Sequence, residues 1–175
     1  MLDEQTLLQS IRAATEEVFE TMLGGAIEFD ESAKDDPDSG LMAIVGLTGS
    51  WSGAGTMACS PHLGNLVAST MFMSEENSDR NTINDEVLDS VAELTNMVVG
   101  NIKNTLEQHF GPMAISIPSV IYGRNFHFRS LPGRITGTVA FRWNSEPLEI
   151  KVVLAPNSDQ ENASRLRGAV VSLTH

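Results

Sequence analysis

DEVLDSVAELTNMVVGNIKNTLE, the stretch from Asp85 to Glu107, has the pattern of an amphipathic helix. Its apolar residues recur at steps of three and four, which places them along one side of a helix. They are Val87, Leu88, Val91, Leu94, Val98, Ile102 and Leu106. The stretch therefore predicts a long helix that buries one side.

The opposite side of this helix carries an unusual set of residues. Asp89, Glu93, Asn96, Gly100 and Lys103 also follow one another at steps of four and three, so they line up along the helix. Exposed helix surfaces are usually rich in Glu, Lys, Gln, Arg and Ala. Asn and Gly are poor helix formers, and Gly costs about 1 kcal/mol relative to Ala. Two unfavourable residues on one exposed side indicate that this side has a function.

The chemistry of these side chains favours contact with a partner. A carboxylate binds a cation, and the Asn amide, with one acceptor and two donors, can hold and orient a water molecule. A glycine lets another surface approach closely. The set contains no nucleophile and no base that titrates near neutral pH. It suits insertion into a partner's site where a water must be positioned, but a solvated helix face with an incidental Asn is an equally open interpretation of the residues alone.

Composition limits the class of protein. A chain of 175 residues is long enough for one domain with a sizeable core and too short for two ordinary ones. The formal net charge of −12 argues against nucleic acid and anionic membranes as partners, because both require a basic surface. A single cysteine excludes an internal disulfide, which is typical of a reducing compartment. With no leader pattern at the N-terminus and no apolar run of membrane-spanning length, we expect a cytoplasmic protein.

The remaining patterns predict a second long helix and a set of hairpins. In chain order they are a helix over 4–22, a short strand over 26–29, strands over 41–47 and 55–60 about a Gly-rich turn at 49–53, a short helix over 61–71, a strand over 114–120, a strand over 125–130, a hairpin of 135–143 with 148–154, and a terminal helix over 163–173. Pro118 interrupts the strand over 114–120, so that strand should lie at a sheet edge or a bulge.

No metal site is predicted from the candidate ligands. His62, His109, His127 and His175 are scattered, without the spacing that zinc sites need. Cys59 lies in a predicted strand and is interpreted as a small buried apolar group. Most of the eight methionines fall on apolar faces and are assigned to the core.

ELTNMVVGNIKNTL, from Glu93 to Leu106, resembles the signature helix of the CheC/CheX family of chemotaxis phosphatases. The family pattern is an Asp or Ser, then a Glu, an Asn one turn later, and a Pro about one strand beyond. Its matches here are Asp89, Glu93, Asn96 and Pro118. Weaker similarity extends from about residue 5 to residue 154 and includes FETMLG at 19–24 and the Gly-rich segment at 43–60.

The resemblance implies an α+β domain over 1–156, with a mostly antiparallel sheet and two long helices packed on one face. The order of the predicted elements also forms a weak internal repeat of αββ type. Aligning Met22 with Met97 places Val18 and Thr21 of the first helix opposite Glu93 and Asn96. The first helix therefore lacks both functional residues, as in the single-site CheX type. Residues 157–175 are expected to be a C-terminal extension, either loose or a short helix.

The implied function is hydrolysis of the aspartyl phosphate on a CheY-like receiver domain, by a homodimer with no cofactor of its own. The receiver would bring its own Mg²⁺. In this scheme Asn96 positions the attacking water, and Glu93 pairs with a receiver lysine. Partner contacts are assigned to Asp89, Met97, Gly100, Lys103 and Pro118. A non-catalytic receiver-binding or scaffold module of the chemotaxis or flagellar-switch type is the alternative.

Overall fold

The computed structural model describes residues 4–32, 40–75, 79–123 and 135–157. These ranges contain the following helices and strands: α1 (Glu4–Leu23), β1 (Glu28–Phe29), β2 (Gly40–Gly49), β3 (Trp51–Cys59), α2 (Pro61–Phe72), α3 (Asp85–Phe110), β4 (Met113–Ile115), β5 (Ser119–Gly123), β6 (Ile135–Trp143) and β7 (Glu146–Pro156). The strand predicted over 125–130 and the terminal helix predicted over 163–173 lie outside the described residues. Among the described residues, no helix combines the length and apolar character needed to cross a membrane.

The described strands form one antiparallel sheet in the order β1-β6-β7-β3-β2-β4. β5 also pairs with β2, so β4 and β5 lie end to end along the same side of β2. The register pairs Leu47 with Ile115 in β4 and Ile44 with Ser119 in β5. Pro118, which lacks an N–H group, lies in the break between the two strands. The prediction of a Pro-interrupted strand at a sheet edge is therefore confirmed.

The predicted hairpin of β2 and β3 is confirmed, but its turn is shorter than the predicted 49–53, because the chain turns at Ser50 and Gly53 already belongs to β3. A Cβ on Gly53 would overlap the backbone carbonyl of Val153 in β7. A Cβ on Gly55 would lie 2.5 Å from a methyl carbon of Val99 in α3. Gly53 therefore allows close approach of β7, and Gly55 allows close approach of α3. Neither glycine is required here by the geometry of a turn.

All three described helices pack on the same face of the sheet. Leu7 and Ile11 of α1 lie against Gly137 of β6, and Val99 of α3 lies against Gly55 of β3. Gly64 brings α2 against Leu41 of β2. The predicted α+β class, with two long helices on one face of an antiparallel sheet, is confirmed, and the shorter α2 joins them there.

Helix α3 is built as its apolar pattern predicts. Its predicted apolar residues are fully buried, except for the half-buried Leu88. Each such side chain contributes about 1.5–3 kcal/mol when removed from water. Asn84 caps the N-terminus by accepting a hydrogen bond from the Val87 N–H at 2.9 Å. Gly111, at φ +76°, caps the C-terminus, and the helix ends at Phe110.

Candidate functional site

The polar side of α3 remains accessible. Asp89 and Glu93 are exposed, and Asn96 and Gly100 are half-buried. Because the helix buries its apolar side in the sheet, these residues face away from the core at successive turns. The structure therefore brings the sequence-predicted carboxylates and the amide together on one helical surface.

A cavity of about 360 Å³ adjoins the first half of this surface. Its walls come from the end of α2, from α3, and from the link between β4 and β5. The lining residues are Met71, Phe72, Asp89, Ser90, Ala92, Glu93 and Pro118. The fold thus places Pro118 beside Asp89 and Glu93, although a helix end and a strand separate them in the sequence.

The side chains of Glu93 and Asn96 have no hydrogen bond or ion pair with another residue within the described ranges. Other asparagines of the chain are engaged in the fold. The Asn65 amide donates to the carbonyls of Pro61 and Thr82 at 3.0 and 2.7 Å, and Asn84 caps α3. Because no hydrogen bond from the described residues occupies the half-buried Asn96, its amide is available to a water or a partner.

Lys103, at the C-terminal end of the polar side, is already engaged inside the helix. Its ammonium lies 3.0 Å from the Glu107 carboxylate one turn later. Glu107 also accepts a hydrogen bond from the Met113 N–H at 2.9 Å. That backbone bond, followed by the hydrogen bond from Lys103, holds the pKa of Glu107 below its ordinary value. In the structure, Lys103 contacts Glu107 near the junction of α3 and β4. A role for Lys103 in partner binding stays a prediction.

No close neighbour requires a glycine at position 100. A Cβ placed there would meet only Ile115 Cδ1, at 3.9 Å, which is an ordinary contact. Core packing therefore does not exclude a side chain at this point of the helix. Met97, one turn earlier, is half-buried and packs partly against the core, so only part of it is open to a partner.

Three exposed apolar residues that the sequence did not indicate as site residues lie at or next to cavity-lining positions. Phe72 and Met73, at the end of α2, are 53% and 96% exposed, and Ile117, next to Pro118, is 87% exposed. Met73 is thus an exception among the methionines, most of which were assigned to the core. The available signal was the position of Phe72 and Met73 beyond the apolar stripe of α2, directly before a polar segment.

Helix α2, which supplies one cavity wall, is anchored at its other end. The Glu146 carboxylate lies 2.9 Å from His62 Nδ1 and accepts a hydrogen bond from the Ser60 hydroxyl. Ser60 in turn caps α2 by accepting from the Leu63 N–H at 3.0 Å. In the part of the chain that the structure describes, no group of three or more His, Cys, Asp or Glu residues is placed so that it could hold a metal ion.

Helix α1 does not repeat the site at the predicted equivalent positions. Val18, opposite Glu93 in the repeat alignment, is apolar and only 2% exposed. Thr21, opposite Asn96, is exposed but is a hydroxyl residue with no neighbouring carboxylate in the Glu93 position. The candidate site therefore lies on α3 and not on α1.

Comparison with known proteins identifies the family. The family model described as "Chemotaxis phosphatase CheX" matches residues 41–142, which is more than half of the chain and includes α3 and Pro118. The chain belongs to this family of chemotaxis phosphatases. A comparison with curated proteins finds no match.

Solved structures share the fold over most of their length. The chain is similar to the chemotaxis protein CheX from Vibrio vulnificus, with a TM-score of 0.73 and 20% identity, covering 89% of this chain and 100% of that one. A CheC-like superfamily protein from Shewanella sp. PV-4 gives a TM-score of 0.72 and 21% identity, covering 89% of this chain and 99% of that one. CheX from Borrelia burgdorferi, solved in complex with CheY, BeF₃ and Mg²⁺, gives a TM-score of 0.69 and 25% identity, covering 85% and 97%.

Proposed function

We propose that this chain hydrolyses the aspartyl phosphate of a CheY-like receiver domain. The observation that carries the proposal is the accessible pair of Glu93 and Asn96, one turn apart on α3, with no internal partner in the described structure. Membership of a family of chemotaxis phosphatases supports the reaction class. The complex of Borrelia burgdorferi CheX with CheY supports the partner class.

The reaction transfers the phosphoryl group from the aspartyl oxygen to a water. The water's oxygen forms a bond to phosphorus, the bond between phosphorus and the aspartyl oxygen breaks, and the products are inorganic phosphate and a free carboxylate. Phosphoryl transfer passes through a loose transition state, so catalysis consists mainly of positioning and charge stabilisation. Charge stabilisation is assigned to the Mg²⁺ and lysine of the receiver. The Borrelia burgdorferi complex, which contains Mg²⁺ with CheY, supports this division.

Asn96 would hold the attacking water in line with the breaking bond. Its carboxamide oxygen can accept a hydrogen bond from the water, and its NH₂ group can donate to the water oxygen. Holding the water in this orientation removes the entropy cost of bringing it to the phosphorus from solution. This can increase the rate by several orders of magnitude. The absence of a base on this surface is compatible with such a mechanism, since a loose transition state needs little deprotonation of the water.

Glu93 would dock against the receiver lysine. Its carboxylate is exposed at the edge of the cavity that also contains Asp89 and Pro118. A charge pair formed there fixes the register of α3 on the receiver and so determines where the Asn96 amide lies. Asp89, one turn earlier, adds negative charge to the same wall, and Gly100 leaves room for close approach.

A non-catalytic receiver-binding module is the competing function. Docking alone requires Glu93 and the cavity but does not require an amide at position 96. The two functions are distinguished by the rate of phosphate loss and not by binding.

The test is a phosphatase assay against purified receiver domains from the same organism, each phosphorylated with a small-molecule phosphodonor. We expect the chain to accelerate phosphate loss from at least one receiver in a Mg²⁺ buffer. Binding to a phosphorylated receiver without acceleration would instead establish the non-catalytic module. No binding and no acceleration across the whole panel would contradict both functions.

A further inference from the structure

Three exposed apolar residues occupy or directly adjoin cavity-lining positions on two separate elements. Phe72 lines the cavity and Met73 follows it at the end of α2, while Ile117 precedes the cavity residue Pro118. Single exposed apolar residues are common on protein surfaces, but several around one concave site mark an interaction surface. The cavity that Phe72 and Pro118 line also carries the carboxylates of Asp89 and Glu93.

Folding does not account for methionine at position 73. Met73 caps α2 in the left-handed conformation, at φ 51° and ψ 37°. Glycine and asparagine are the usual residues there, because a side chain is disfavoured in this region. At 96% exposure, the Met73 side chain contributes nothing to the core. A disfavoured backbone conformation therefore presents an apolar, adaptable side chain to solvent directly after Phe72, which lines the cavity.

We infer that Phe72, Met73 and Ile117 form an apolar docking surface that determines which receiver domain this chain binds. This inference rests on the proposed function, since the occupant is the same receiver. Acidic groups next to apolar side chains are complemented by a partner that carries a basic group next to apolar side chains of its own. The receivers it selects are those with exposed aliphatic or aromatic side chains beside the lysine of the phosphorylation site.

The apolar surface and the water-positioning amide predict different kinetic effects. Contacts made equally in the bound ground state and in the transition state lower KM without changing kcat. Loss of the apolar surface should therefore raise KM, whereas loss of Asn96 should lower kcat. An effect on KM alone therefore indicates a docking residue, and an effect on kcat indicates a catalytic one.

The experiment measures kcat and KM for phosphate release from the receiver that the wild-type chain dephosphorylates best. The variants are Met73→Gly and the triple variant Phe72→Ser, Met73→Gly and Ile117→Ser. Glycine suits the left-handed conformation, so Met73→Gly should fold at least as well as the wild type. The matched control is Phe29→Ser, which removes a 39% exposed aromatic side chain on β1, at the opposite end of the sheet order. Thermal denaturation verifies that each variant is folded.

We expect the triple variant to raise KM by about tenfold or more with kcat within about twofold, and Met73→Gly to raise KM by a smaller factor. The control should leave both constants unchanged. A folded triple variant with unchanged KM would overturn the inference while leaving the proposed phosphatase intact. If the wild-type chain binds the receiver without accelerating phosphate loss, the same variants are compared by Kd for the receiver in the presence of beryllofluoride. Weaker binding by the triple variant would then support the docking surface and contradict only the enzymatic function, and equal binding would overturn the docking surface.

Discussion

The Glu107 carboxylate accepts a hydrogen bond from the Met113 N–H at 2.9 Å, which fastens the end of α3 to the start of β4. The same strand edge continues to Pro118, which lines the cavity with Glu93. The contact therefore helps to fix the site helix relative to the wall opposite it.

This contact predicts a specific loss of stability in acid. The pKa of Glu107 lies below its ordinary value of 4.5 in the folded chain, mainly because of the hydrogen bond from Met113. Folding therefore favours the carboxylate, and the resulting stability is present above pH 4.5 and is lost as the pH falls through the lower folded value. Glu107→Gln should lower Tm at neutral pH, and the difference from the wild type should shrink below about pH 4.

Lys103→Met separates the two causes of the Glu107 pKa shift. It removes the ion pair but leaves the hydrogen bond from Met113, which is the larger cause. Most of the acid dependence that Glu107→Gln removes should therefore persist in Lys103→Met. A pH profile of Tm that is equally flat in both variants would assign the effect to the ion pair.

Asn96→Ala tests water positioning. It replaces a poor helix former with the best one, so the free energy of unfolding should stay the same or rise by up to about 0.7 kcal/mol. The rate of receiver dephosphorylation should nevertheless fall about ten- to a thousandfold, as expected for the loss of a positioning group. Binding to the phosphorylated receiver should largely survive. An unchanged rate with intact binding would replace the enzymatic function by the non-catalytic one.

Glu93→Ala should behave differently from Asn96→Ala. It removes the carboxylate proposed to pair with the receiver lysine, so both binding and rate should weaken, and the binding loss should be larger at low salt. Titration of the receiver at two ionic strengths measures this effect. Wild-type affinity in the Glu93→Ala variant would remove the docking role assigned to this residue.

The sequence predicted α3 better than it predicted the site around it. The stripe from Val87 to Leu106 determines which side of one helix is buried, and that is a local property of spacing. The cavity depends on the end of α2 and on the link at Pro118, which meet Glu93 only through tertiary packing. Gly53 was assigned to the turn for the same reason, because its close neighbour, Val153, is far away in the chain.

We propose that the chain forms a symmetric homodimer through a sheet edge. β5 pairs with β2 on one side, and no described strand covers its other side. Ile121 and Tyr122 on this strand are 43% and 58% exposed, and open edges favour pairing with another chain. Light scattering should give twice the monomer mass at micromolar concentration, and Ile121→Lys should shift it toward the monomer. A wild-type monomer under these conditions would contradict the proposal.

Replacement by alanine should change the free energy of unfolding in opposite directions at two helical glycines, Gly64 and Gly100. At Gly64 a Cβ would lie 2.6 Å from Leu41 Cδ1 and 3.0 Å from a methyl carbon of Val87, both in fully buried side chains. Gly64→Ala should therefore destabilise the fold by about 1–3 kcal/mol through overpacking. It is the matched comparison for Gly100, where the same added methyl has room.

Gly100→Ala should raise the free energy of unfolding by about 0.5–1 kcal/mol, since alanine is the better helix former and only Ile115 lies within ordinary contact distance. If the glycine serves close approach of the receiver, this more stable variant should dephosphorylate it more slowly, because the new methyl group stands between the two surfaces. Denaturant unfolding and the phosphatase assay measure the two effects separately. A variant that is both more stable and fully active would mean that the receiver does not approach α3 at Gly100, and the docking face would then end at Asn96.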